Sequence, residues 1–198
     1  MTWVDFDRAV RLATSRGRPA DLERWTTERD CVYRQIMEEG FNAELGAFVQ
    51  CYGSDVLDAP LLKMPLVGFV APDDPLWLST LAAMDRTPAS DSLVYRYDPA
   101  ASPDGLPGSE GTFSICTFWY VQALARSGRL RDARIVSEKV HTYANQLGLY
   151  SEEIGPTGEQ LGNFPQTFTH LALINTATLL ADLLDRACTG AETTEAIT

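Results

Sequence analysis

Residues 150–166, YSEEIGPTGEQLGNFPQ, place Glu152, Glu153, Glu159, Gln160 and Asn163 in one loop punctuated by glycine and proline. Such a segment is either a solvated connector or a mount for a carboxylate that moves protons. In the first case the Ser-Glu-Glu stretch simply offers acidic groups to the N-terminal dipole of the next helix. In the second, a carboxyl group acts as general acid or base. Other chemistries lack their parts. His141 and His170 are the two histidines. The first lies on an amphipathic stretch where a solvated role is expected. The second lies in an apolar stretch, where a hydrogen-bonded core histidine is expected. Without H-x-x-x-H, C-x-x-C or a tight Asp cluster, the sequence offers no metal centre. No G-x-S-x-G elbow supports a serine nucleophile. EEGFNAELG and PDGLPGSEG lack the spacing of a phosphate loop. No cofactor is implied. Acids set among aromatic residues remain, and these suit sugar hydrolysis, where ring faces stack on pyranoses and two carboxyl groups do the proton work. The plain alternative for the loop aromatics is packing.

The elements that must hold these residues read as helices. Trp3–Arg16 carries Trp3, Phe6, Val10 and Ala13 at helical spacing. Pro19 suits the first turn of a second helix reaching Glu39, with Leu22, Trp25, Val32 and Ile36 as its stripe. Val56–Phe69 predicts a short apolar helix interrupted by prolines, and Asp74–Thr87 a more polar or one-faced helix opened by Asp and Pro. Glu110–Gly128 is apolar on nearly every side. Leu130–Gly148 is one-faced, through Ala133, Val136, Val140, Ala144 and Leu147. Gln166–Ala187 is almost wholly apolar until its end, and residues 188–198 read as a flexible tail. The apolar members start about 54 residues apart, near positions 3, 57, 110 and 164. That recurrence fits an all-α fold of two layers, apolar helices inside and amphipathic helices outside, as in part of an α/α toroid. An irregular helical bundle fits the same pattern.

The connections entering the apolar helices are long and rich in Gly, Pro, aromatic and acidic residues, and long loops of this kind are commonly functional. AFVQCY, residues 47–52, alternates like a short strand. The bulk numbers narrow the partners. With 198 residues, 45% of them apolar, the chain suits one domain or a piece of a larger one. A net charge of −11 argues against nucleic acid or an anionic membrane surface. No run is expected to reach membrane-spanning length. The first residues lack a signal-peptide pattern. Cys31, Cys51, Cys116 and Cys188 read as reduced thiols of a reducing, cytoplasmic compartment.

The loop also carries a resemblance. YSEEIGPTGEQLGNFPQTFTHLALI is similar to the closing signature of bacterial members of glycoside hydrolase family 15, which holds glucoamylases, related α-glucosidases and some trehalases. WVDFDRAVRLA, FVQCYGSDVLDAPLLKMPLVGF, LVYRYDP and DGLPGSEGTFSICTFWYVQALARSGR resemble it in the same order. The resemblance implies an (α/α)6 barrel, of which about seven of twelve helices fall in this chain, with the active site where the loops enter the inner helices. It implies an inverting mechanism on an α-glucoside, with Glu152 as general base. Glu153 is the adjacent alternative and Glu159 a weaker one. It also implies substrate contacts from Arg96, which otherwise pairs with Asp98 or Glu110, and from Glu110 and Tyr52. Asp55 is a weaker candidate. Trp119 is expected to pack in the core. Gln122 stands where relatives are expected to carry Glu. The family's general acid precedes the helix that here starts at Trp3, so the acid is expected on another segment. That segment is the N-terminal half of a longer hydrolase, a separate polypeptide or another copy of the chain. The different-class alternative is a non-catalytic helical interaction or carbohydrate-binding module.

Overall fold

The computed structural model describes residues 1–86, 89–90, 93–96 and 111–195. The first two helices form an antiparallel pair. Helix α1 spans Thr2–Arg16 and α2 spans Leu22–Glu39. The second starts three residues after Pro19, because the Asp21 side chain accepts a hydrogen bond from the Arg24 N–H and caps the first turn. No α2 residue is fully buried, so its stripe is half-covered. Asp7, 3% exposed, ties the pair together. It is flanked by Arg8, by Arg11 at 2.9 Å and by Arg29 of α2 at 4.0 Å. Burying a carboxylate costs free energy unless such partners replace its lost hydration.

Strands β1 (Phe41–Asn42) and β2 (Ala47–Phe48) form a hairpin, the short extended piece expected at AFVQCY. The predicted helix over Val56–Phe69 is instead a 3₁₀ segment, Ala59–Lys63. Pro60 and Pro65 each lack an N–H donor and break the α ladder. Helix α3, Pro75–Met84, begins where Asp74 accepts from the Leu76 and Trp77 N–H groups at 2.9 and 3.3 Å. It was expected to be one-faced, yet Trp77, Thr80, Leu81, Ala83 and Met84 are all buried. Its Thr80 hydroxyl accepts the Phe48 N–H at 3.0 Å and docks the first hairpin.

Strands β3 (Ala89–Ser90) and β4 (Leu93–Val94) pair antiparallel, and β5 (Thr112–Phe113) runs into α4, Ser114–Arg126. Helix α4 is the centre of the molecule. It packs on the 3₁₀ segment, on α5 (Leu130–His141) and on α6 (Thr167–Glu195). Val121, Ala123 and Leu124 of α4 are wholly buried. Helix α5 buries Ala133, Val136 and Val140 as expected but ends at His141, leaving Leu147 73% exposed beyond it. Strands β6 (Glu153–Ile154) and β7 (Gln160–Leu161) add to β5 in the order β5-β6-β7.

The described residues therefore hold six α-helices and one 3₁₀ segment, with short strands at the loops, where an all-α chain of seven helices was expected. Helix α6 departs furthest. It continues to Glu195, past the point where a tail was expected. Residues 188–195 contain no proline, the one residue type that would break the helix outright. Its stretch Thr167–Thr189 is, by length and composition alone, long and apolar enough to cross a membrane, contrary to expectation. Core helices of water-soluble folds pass the same test. Thr169, Ala172, Thr176 and Leu180 of α6 are buried, while Phe168, Leu171 and Ile174 are 66%, 53% and 60% exposed.

Candidate functional site

The loop of residues 150–166 is stitched to three elements. At its neck the Gln166 N–H donates to the Tyr150 carbonyl at 2.9 Å. The Thr169 hydroxyl of α6 donates to the Ser151 carbonyl at 3.4 Å. The Ser114 N–H at the start of α4 donates to the Glu152 carbonyl at 3.0 Å, and the Glu152 N–H donates to the Asn163 carbonyl at 3.0 Å. Both main-chain groups of Glu152 are thus fixed. Its side chain inherits that order.

Successive side chains of an extended segment point to opposite faces. Glu152 and Glu153 consequently part company. The Glu153 carboxylate accepts the Gly111 N–H at 2.9 Å, and its backbone pairs with Phe113 on one side and Leu161 on the other. Glu152 faces a pocket of about 230 Å³. Its Oε2 accepts from the Asn163 N–H at 3.2 Å and from Asn163 Nδ2 at 3.0 Å. Among the described residues its Oε1 accepts no hydrogen bond. Glu159 is exposed and closes its own turn, accepting from the Thr157 N–H at 2.9 Å and the Thr157 hydroxyl. The bond from the Thr157 hydroxyl, first, holds the Glu159 carboxyl below its ordinary value.

Arg96 shares the pocket with Glu152. Its guanidinium carbon lies 5.9 Å from the Phe113 ring centroid, and its carbonyl accepts the Ala59 N–H at 2.7 Å. Phe113, Ile115, Trp119 and Phe168 supply the apolar wall. An acid, a fixed planar cation and aromatic faces can together bind a polyol and move a proton. Tyr52 is not among them. It is 47% exposed and lines a larger cavity of about 810 Å³ with Trp3, Gln50 and Asp58. Asp55 is exposed and lines neither cavity. Glu110, the third expected substrate contact, and Asp98 lie outside the described residues.

Trp119 packs against the core as expected, yet it is half-buried and also stands in the wall of both cavities, with Lys63 Nζ 4.9 Å from its ring centroid. The signal for it was its i,i+4 spacing from Ile115 at the loop end of α4. Phe168 was missed because the first turn of an apolar helix reads as core. Asp58 was also missed. Burial raises its carboxyl above the ordinary value, and the nearby Arg96 charge opposes that shift. Gln122 is buried and donates to the Thr176 hydroxyl at 2.9 Å, joining α4 to α6. His170 is the hydrogen-bonded histidine expected. Its Nδ1 lies 2.7 Å from the Gln166 carbonyl, and its Nε2 accepts the Tyr150 N–H at 3.4 Å. His141 is exposed. Among the described residues no group of three His, Cys, Asp or Glu side chains could hold a metal ion.

A sequence profile described as glycosyl hydrolases family 15 matches residues 1–141 and 133–178. A trehalase of Thermoplasma volcanium is 40% identical over 186 residues, covering 93% of this chain and 29% of that protein. A trehalase of Mycobacterium tuberculosis is 44% identical over 176 residues, covering 88% of this chain and 26% of its own length. The chain thus spans less than a third of these relatives. In three dimensions it is similar to a solved wild-type glycosidase, with a TM-score of 0.67 at 21% identity, over 83% of this chain and 45% of that one. A glycosidase variant in complex with glucose gives a TM-score of 0.68 at 20% identity, over 81% of this chain and 45% of the other. At such identity the likeness concerns the fold.

Proposed function

Because the chain belongs to glycosyl hydrolases family 15, we propose that it supplies Glu152 as the water-activating base of an inverting hydrolase acting on an α-glucoside. The relatives bear the name trehalase, which favours α,α-trehalose over maltooligosaccharides as the substrate. One observation carries the reading. Glu152 and Arg96 line a single pocket walled by Phe113, Trp119 and Phe168. In the reaction Glu152 takes a proton from water as the water oxygen attacks the anomeric carbon. The glycosidic C–O bond breaks, and the leaving sugar oxygen takes a proton from a carboxylic acid on the opposite face. Attack from the far side inverts the anomeric configuration. Arg96 donates to sugar hydroxyls, and the aromatic wall packs against ring faces.

Among the described residues lining this pocket, Glu152 is the one carboxylate. The mechanism needs a second, about 6.5–9.5 Å away. We assign the acid to another segment of an (α/α)6 toroid, carried by an N-terminal half of the barrel or by another copy of this chain. A reducing, cytoplasmic setting is part of the same proposal. The 198-residue chain alone then hydrolyses neither trehalose nor maltose at a useful rate. Titration of glucose and trehalose while the Trp119 indole N–H is followed by NMR tests the pocket. A saturable shift supports the reading, and no shift for either sugar removes it. Turnover by the chain alone, lost in Glu152→Gln, would uphold the base and overturn the need for a second segment.

A further inference from the structure

The two oxygens of Glu152 are not equivalent, and one residue makes the difference. Oε2 accepts both N–H donors of Asn163, the main-chain one at 3.2 Å and the side-chain one at 3.0 Å. Asn163 also accepts the Glu152 N–H on its own carbonyl at 3.0 Å, so the two residues grip each other across the loop. A carboxylate only accepts hydrogen bonds, so the Asn163 amide must turn its NH₂ toward it. Gly162 makes the approach possible. It holds φ at 72°, in the left-handed region, and a Cβ there would lie 3.0 Å from both the Glu152 Cβ and Oε2. Oε1 is left without a hydrogen-bond partner among the described residues, while the side chain lines the pocket.

We infer that Asn163 is the positioning residue of Glu152: it occupies Oε2 with two donors and reserves Oε1 for the proton taken from water. The inference rests on the reading of Glu152 as the base. Without the clamp the carboxylate turns about its terminal torsion, which is broad for a glutamate. Each oxygen then presents itself part of the time. Glu153 has no such freedom to take over, since the Gly111 N–H and the β5-β6-β7 sheet hold it on the other face.

The test uses the ¹⁵N-labelled 198-residue chain and two probes, glucose and the cationic glucose mimic 1-deoxynojirimycin. The first reading needs no sugar. The two Asn163 side-chain amide hydrogens are expected to be well separated in wild type and to converge in Glu152→Ala. An Asn163 amide that ignores the loss of Glu152 would overturn the clamp. The second reading is the affinity of each probe. Asn163→Ala is expected to weaken the cationic mimic about three- to tenfold, because its ring ammonium reports an ordered carboxylate, and to leave glucose within about twofold. A parallel loss of both probes would mean that Asn163 only keeps the loop folded, and would overturn the positioning role. Binding of neither probe to wild type would remove the sugar-site reading, and the amide comparison would then still decide the clamp by itself.

Discussion

Helices α4 and α6 look alike in sequence and differ in what covers them. Both are apolar most of the way round. In α4 that surface meets the 3₁₀ segment, α5 and α6, and Phe118, Val121, Ala123 and Leu124 are 0% exposed. In α6 the partners are α4 and, more weakly, α5. Its outer row, Phe168, Leu171 and Ile174, stays more than half exposed. The apolar content of a helix therefore records how many neighbours it is built for, and within the described residues only α4 has them all. Phe168 shows why this bears on function, since the same residue that starts the open row also walls the Glu152 pocket.

The largest expected effect is on the covered helix. Leu124→Ala leaves a cavity in a wholly buried site and should destabilise the chain by about 2–5 kcal/mol. Leu171→Ala, on the open row at 53% exposure, should change stability by no more than about 0.5 kcal/mol. Urea unfolding of both variants, followed by circular dichroism, makes the comparison. Equal losses would mean that α6 is covered in solution, by a second copy for instance. Sizing sharpens the point: Leu171→Glu with Ile174→Glu should reduce self-association and leave the urea midpoint close to wild type.

The joint between the two helices is the next test. Gln122 Nε2 donates to the Thr176 hydroxyl at 2.9 Å, and that hydroxyl donates to the Ala172 carbonyl at 2.7 Å. Thr176→Val strands a buried amide and should cost about 1–3 kcal/mol. Gln122→Leu combined with Thr176→Val should cost less than the sum of the two single changes, because neither partner is then left wanting. Additive losses in urea unfolding would show that the contact is incidental.

This contrast also explains what could be read from the chain beforehand. Helical periods and Asp or Gly boundaries located α1, α3, α4 and most of α2 and α6. The proline pair at Pro60 and Pro65 turned an expected helix into a 3₁₀ segment, because two missing donors outweigh an apolar pattern. The resemblance in SEEIGPTGEQLGNFPQ pointed at Glu152 and that in LVYRYDP at Arg96, and the two do share a pocket. It put Glu152 first and kept Glu153 as the adjacent alternative, without the physical separation of the two side chains. That separation depends on a strand register, Phe113 opposite Glu153, which is a long-range pairing with no local signature. Tyr52 went to a different cavity for the same reason. The local sequence set the composition of its loop, and tertiary contacts set where the loop points.

The smallest effect at neutral pH concerns Tyr150, which joins the covered side of the comparison to the loop. Its ring is 1% exposed, stands edge-on to Phe118 of α4 at 5.6 Å and to His170 of α6 at 5.9 Å, and its hydroxyl has no hydrogen-bond partner among the described residues. Burial raises the phenol above its ordinary value of 10.0. The sign of the pH effect follows. Above about pH 10 the unfolded chain releases the Tyr150 proton while the folded chain retains it, so the unfolded state gains and stability falls as pH rises. Tyr150→Phe removes a stranded hydroxyl without changing the ring. At neutral pH it should leave stability within about 1 kcal/mol of wild type, or raise it. Above about pH 10 the variant should lose less stability than wild type. Thermal melts of both proteins across that range make the measurement. A variant that is clearly less stable at neutral pH would mean that the Tyr150 hydroxyl has a partner in solution and that the neck of the loop is held by more than its backbone.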